Sequence, residues 1–244
     1  MYNSKLESRI CSREVLEWEV LNQTFPNKTK IISFLNPFSY GLISSKPYLI
    51  DEVDVWFCDG ALLCFLVNIK RYEKISRASF DFSSIAHVVF SYSIRESLTM
   101  YFIGGTVCEA LEAEQNVKIA YPELKIIGFI SGFFKSQSES EILKDIVMNN
   151  PQVVIVGLGT PLQEEFAIKL RRSMPLNSLI FTCGGFITQT SKSTFFYKNW
   201  SVKYFRWLQR ALVYRHVRKR LMVDYPIFVL KYLFSKYWPF KVTN

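Results

Sequence analysis

The first 199 residues predict an α/β fold, a mostly parallel, Rossmann-like sheet flanked by helices, followed by a basic helical C-terminal appendage over residues 200–244. Three observations carry this. Apolar, β-branched runs alternate with amphipathic stretches; five of the runs end directly in turn residues; and the balance of charge changes abruptly near residue 200.

In chain order, strands are expected at Lys30–Leu35, Val53–Cys58, Thr99–Ile103, Lys125–Ile130, Val153–Val156 and Leu179–Thr182. Helices are expected at 81–95, 105–120, 138–149, 160–172 and 201–222. The strands run into Asn36-Pro37, Asp59-Gly60, Gly104-Gly105, Gly157 to Pro161, and Gly184-Gly185. Open α/β sheets bind ligands beyond the carboxyl ends of their strands, so these junctions are expected to converge on one crevice. There is no internal repeat and no low-complexity segment.

The charge shift is strong. Residues 200–244 hold ten Lys and Arg against the single acid Asp224, whereas residues 1–199 balance at 20 basic and 20 acidic side chains. Twelve aromatics, Trp207, Tyr232, Phe234 and Trp238 among them, are interleaved with those charges. Such a segment suits an anionic membrane surface, where cations meet head groups and aromatic rings sit at the interface. It suits nucleic acid equally on composition, and a solvated helix face packed on the body is the plainest reading.

Several classes are set aside. The five cysteines form no C-x-x-C pair, and with only His87 and His216 there is no recognisable zinc ligand set. The N-terminus lacks a signal-peptide stretch, and the longest apolar run, Ala61 to Val67, is far too short to span a bilayer. A reduced, intracellular protein that does not cross the membrane is expected. No G-x-G-x-x-G opens the first β-α unit, which argues against a nicotinamide oxidoreductase. There is no Ser-His-Asp pattern, Walker A loop or D-x-D motif. Arginines and helix N-termini are left to neutralise any leaving phosphate, and no metal or cofactor is expected.

The junctions offer candidate chemistry, each with a structural alternative. In VVIVGLGTPLQEEF, Gly157 and Gly159 permit close backbone approach, and Thr160 and Pro161 suit the N-cap and first position of a helix that could hold an anion. Thr160 and Gln163 also have the spacing of a capping box. Asp59 is placed for a turn or for a general base. Arg77 and Asp81 suit an ion pair with Asp81 capping a helix, and Asn36 before Pro37 suits a turn.

Taken together, these pieces resemble the WecG/TagA/CpsF family, glycosyltransferase family 26. FLNP, FCDGALLC, Arg77 with Asp81, YFIGGTVCEALEAE with YPELKIIGFISGFF, VGLGTPLQEEF, TCGGFITQTSKS and WLQR follow in the family's order over residues 30 to 230. Three positions depart from its pattern: Leu162 replaces a Lys, Phe34 a Thr, and Arg206 a Glu.

The resemblance implies an inverting transferase with a UDP-sugar donor and a polyprenyl-diphosphate-linked glycan acceptor, serving cell-surface polysaccharide synthesis. Residues 1–199 become a nucleotide-sugar-binding catalytic domain, with Asp59 as base. Asn36, Arg77, Asp81, Gly157, Gly159, Gln163 and Gly184 become substrate-binding residues, joined by Arg210, Arg218 and Arg220 from the appendage. The appendage then completes the site and associates with the anionic inner face of the cytoplasmic membrane. No nucleic-acid partner is expected on this reading. A nucleic-acid-binding protein using the basic segment is the alternative, and the apolar appendage leaves room for a homo-oligomer.

Overall fold

The computed structural model describes residues 2–16, 28–69, 71–133, 138–174, 177–192 and 220–237. Seven strands form one sheet: β1 (Ile10–Cys11), β2 (Lys30–Leu35), β3 (Val55–Cys58), β4 (Thr99–Gly104), β5 (Lys125–Ile130), β6 (Val153–Gly157) and β7 (Leu179–Thr182). Their order is β1-β3-β2-β7-β6-β4-β5, and every pairing is parallel. The helices are α1 (Ser4–Ser8), α2 (Pro37–Ser44), α3 (Pro47–Glu52), α4 (Ala61–Asn68), α5 (Ile85–Arg95), α6 (Val107–Ala120), α7 (Glu139–Asn149), α8 (Leu162–Ser173), α9 (Phe186–Lys192) and α10 (Tyr225–Tyr237).

The strands are largely apolar because the central part of the sheet is covered on both faces. Side chains alternate across a strand. Thus Ile31, Leu35, Trp56, Cys58, Tyr101, Ile103, Val154, Val156 and Ile180 pack on one face with α2, α3, α4, α7, α8 and α10. Their neighbours Ile32, Phe34, Val55, Phe57, Met100, Phe102, Val153, Ile155, Leu179 and Phe181 pack on the other with α5, α6 and α9. The connection leaving β4 therefore runs over the second face and the one leaving β6 over the first. Chains that part in this way between adjacent strands open a crevice at the carboxyl edge.

Local chemistry sets the helix ends. Thr106 with Glu109 and Ser138 with Glu141 form reciprocal capping boxes at the starts of α6 and α7, and Asn150 in the left-handed region closes α7. Asn36 and Pro37, which suit a turn by sequence, instead start α2: Asn36 accepts from the Phe38 and Ser39 amides, and Ser39 answers the Asn36 amide. Pro37 at the first helical position loses no hydrogen bond, so the pair begins a helix rather than closing a turn.

The expected helix at 201–222 and the boundary at 199/200 fall almost wholly outside the described residues. From Arg220 a π-helical turn leads into α10, whose Phe228 and Tyr232 are buried in the core of the body. Tyr40 of α2 meets the two rings at 5.7 and 5.8 Å, and the Tyr2 amide donates to Ser235 Oγ at 2.7 Å. The described part of the C-terminal segment thus shares the core of the α/β body.

Candidate active site

The strand order makes β3, β2, β7, β6 and β4 consecutive, so Asp59, Asn36, Gly184, Gly157 and Gly104 follow one another along the carboxyl edge. Backbone bonds tie neighbouring junctions together: the Asp59 amide donates to Leu35 O at 2.7 Å, and the Cys183 amide to Val156 O at 2.8 Å. Gly157 is small by necessity, since a Cβ there would lie 2.9 Å from Cys183 Sγ and 3.1 Å from Gly184 O. Gly159, at φ +76°, turns the chain in a conformation that other residues rarely adopt.

Arg77 and Asp59 form one half of the edge. Arg77 Nη2 donates to Asp59 Oδ1 at 3.0 Å and to Asp81 Oδ2 at 3.3 Å. Asp59 Oδ2 accepts from no described residue. Asp81 is buried; Oδ2 also accepts from Ser79 Oγ, and Oδ1 from the Ser83 amide and hydroxyl. Burial raises the Asp81 carboxyl pKa, but the bonds from Ser83 and Ser79 and the Arg77 charge outweigh that, and the net direction is downward. Asp81 does not cap α5, as its position in sequence suggests. It closes a turn just before that helix, whose N-cap is Ser84.

The other half is a buried polar network. Gln163 lies at the start of α8, nearly without exposure; its Oε1 accepts from the Gly184 amide at 3.1 Å. Its Nε2 donates to Glu164 Oε1 at 2.9 Å and to Thr160 Oγ1 at 3.2 Å. The capping box expected from Thr160 and Gln163 is therefore not formed. In that box the amide would accept from a backbone N–H at its own helix start, whereas here it reaches across to the β7–α9 junction. Nor does α8 begin at Thr160 and Pro161: its first residue is Leu162, after a cis Thr160–Pro161 bond. Ser33 Oγ of β2 donates to Glu164 Oε1 at 2.8 Å and receives Thr182 Oγ1 of β7 at 2.8 Å.

Ser33, Thr182 and Glu164 are absent from the sequence-based candidates. The available signals were Ser33 within the apolar run of β2 and Thr182 at the carboxyl end of β7. Phe34, where the family pattern has Thr, faces the opposite side of the sheet, against Phe57 and Phe80 at 5.7 and 6.1 Å. The hydroxyls at this end come instead from Ser33 and Thr182. Asn36 holds the start of α2 through Oδ1, and its Nδ2 has no partner among the described residues. Arg210 and Arg218 lie outside the described residues, and only the backbone of Arg220 is described. Among the described residues no group of three or more His, Cys, Asp or Glu is placed to hold a metal ion.

A parallel Rossmann-like sheet that gathers acid, arginine and glycine junctions along its carboxyl edge places them where open α/β enzymes bind their ligands. The chain belongs to the glycosyl transferase WecG/TagA/CpsF family, whose family model matches residues 12–241, and it is a glycosyltransferase. It is 41% identical over 217 residues to the UDP-Gal:alpha-D-GlcNAc-diphosphoundecaprenol beta-1,4-galactosyltransferase of Shigella boydii, covering 87% of this chain and 90% of that protein. A shorter likeness, 33% over 76 residues, links it to the N-acetylglucosaminyldiphosphoundecaprenol N-acetyl-beta-D-mannosaminyltransferase of Bacillus spizizenii, covering 31% of this chain and 29% of that protein.

Proposed function

We propose that the protein is an inverting hexosyltransferase that moves a sugar from a UDP-sugar, with UDP-galactose the first candidate, to a polyprenyl-diphosphate-linked acceptor in cell-surface polysaccharide synthesis. The observation that carries the chemistry is Asp59, held by Arg77 through Oδ1 at the carboxyl edge, with no partner for Oδ2 among the described residues. Asp59 Oδ2 takes the proton from an acceptor hydroxyl as that oxygen attacks the anomeric carbon. The bond to the UDP oxygen breaks on the far side, and the configuration inverts. The similar Shigella boydii protein makes a β linkage from UDP-Gal, which matches inversion of an α-linked donor.

The donor diphosphate lies over the Gly157–Pro161 turn, beside Asn36 Nδ2, with arginines of the C-terminal segment neutralising the charge that develops on UDP. Gln163 and Gly184 shape the floor of that pocket. No metal is required on this reading.

The reaction takes place at the inner face of the cytoplasmic membrane, with the protein bound peripherally. No described helix is long and apolar enough to cross a membrane. What supports attachment is α10 and the turn before it, which leave Met222, Ile227, Leu230 and Phe234 exposed along the helix, within the segment richest in Lys and Arg.

The test is UDP release from a panel of UDP-hexoses and UDP-N-acetylhexosamines, with and without a polyprenyl-diphosphate-linked N-acetylglucosamine. Release from one donor only when the lipid is present is expected. Release from none, together with salt-dependent binding to nucleic acid, would overturn the reading.

A further inference from the structure

We propose that Glu164 is a positioning residue held as a neutral carboxylic acid beneath the crevice, where it locks the Gln163 amide and joins the ends of β2, β6 and β7 into one floor. It rests on the transfer reading above for its activity readout.

Three observations carry it. The Glu164 side chain has no exposure to solvent. Its Oε1 accepts from Ser33 Oγ at 2.8 Å, Gln163 Nε2 at 2.9 Å and Thr160 Oγ1 at 3.2 Å, while Oε2 is buried with no partner. No described Lys, Arg or His pairs with it: Lys46 pairs with the adjacent Glu165 and Arg171 with Asp54. A carboxylate in such a place keeps its charge only at great cost, and the group takes up a proton instead. Burial accordingly raises its pKa against the lowering effect of those hydrogen bonds.

The neutral acid has two consequences. Glu164 lies in the first turn of α8, the end over which the donor diphosphate is placed, and without charge it does not repel that anion. Its Oε1 also decides which end of the Gln163 amide points inward. With Nε2 donating to Glu164, Oε1 of Gln163 faces the Gly184 amide, and the β6–α8 and β7–α9 junctions are held in one register. Glu164 touches no reacting atom; it acts through Gln163 and Ser33.

The experiment compares the full-length wild type with E164D, E164A and E164Q. Aspartate withdraws the carboxyl by one methylene, and E164D is expected to lower kcat by about 10²-fold, as displacements near 1 Å do, with little change in KM. Glutamine keeps the acceptor and the neutral state, and E164Q is expected to restore most of that loss. Wild type minus E164Q infrared spectra at neutral pH should show the carbonyl stretch of a protonated carboxyl. The Gly184 amide should exchange with deuterium faster in E164D than in E164Q. Failure of E164Q to restore activity, wild-type turnover in E164D or E164A, or absence of the protonated-carboxyl band overturns the proposal. If no form releases UDP the transfer reading falls instead, and the infrared band and Gly184 exchange still decide the role of Glu164.

Discussion

Arg77 Nη2 bridges Asp59 Oδ1 at 3.0 Å and Asp81 Oδ2 at 3.3 Å, so one guanidinium orients the proposed base and neutralises a buried acid behind it. The two carboxylates have separable duties. Asp59 stands at the carboxyl end of β3 and its Oδ2 has no partner among the described residues; Asp81 is enclosed by Ser79, Ser83 and Arg77.

Asp59→Asn keeps the size of the side chain and removes the base. It should lower kcat by about 10²–10⁴-fold with near-normal UDP binding, measured by UDP release and by calorimetry. Wild-type turnover in a folded Asp59→Asn protein would assign the base elsewhere.

Arg77→Ala leaves the buried Asp81 carboxylate without its cation. A loss of about 1–2 kcal/mol of stability is expected, allowing for the water that reaches Arg77. Denaturant unfolding checks it.

The lowered pKa of Asp81 gives a stability contribution with a defined sign. It is fully present above the unfolded Asp value of about 3.9 and is lost as pH falls through the lower folded value. Thermal unfolding of Asp81→Asn should therefore lose that acid-side dependence relative to wild type.

Gly104→Ala tests the crevice at the β4–β6 boundary. The added Cβ would lie 2.7 Å from both Gly157 O and Ile187 Cδ1, at a φ of +155°. Backbone cannot yield as a flexible side chain does, so a loss of about 1–3 kcal/mol is expected, with weaker UDP binding.

Phe228→Ala and Leu230→Glu separate the two sides of α10. Phe228 is buried against Tyr40 and Tyr232, and its truncation should cost about 3–5 kcal/mol of stability. Leu230 is exposed, so Leu230→Glu should shift stability by less than about 0.5 kcal/mol. Combined with Phe234→Glu, it should weaken binding to anionic liposomes by roughly tenfold or more in sedimentation assays. Unchanged liposome binding would move the membrane contact away from this face.

Much of the fold was legible in the residues themselves. β2, β5 and β7 fall on the expected residues, β4 and β6 differ by one residue at their ends, and β3 starts two residues later, at Val55; the central strands, buried on both faces, are legible as nearly continuous apolar runs. The short helices α2, α3, α4 and α9 were not legible. Their apolar faces are too short to show a helical period, and Asn36-Pro37 and Asp59-Gly60 carry turn residues that here start helices.

Local sequence determined which residues stand at strand ends: Asn36, Asp59, Gly104, Gly157 and Gly184 each follow an apolar run. Only the tertiary structure decided which of them are neighbours, because the order β3-β2-β7-β6-β4 depends on crossovers that span the whole chain. It also turned Gln163 from its own helix start toward Gly184 and enclosed Glu164 between β2 and β7. Side-chain hydrogen bonds and burial at such sites join residues more than 20 apart, and no local window of sequence contains both partners.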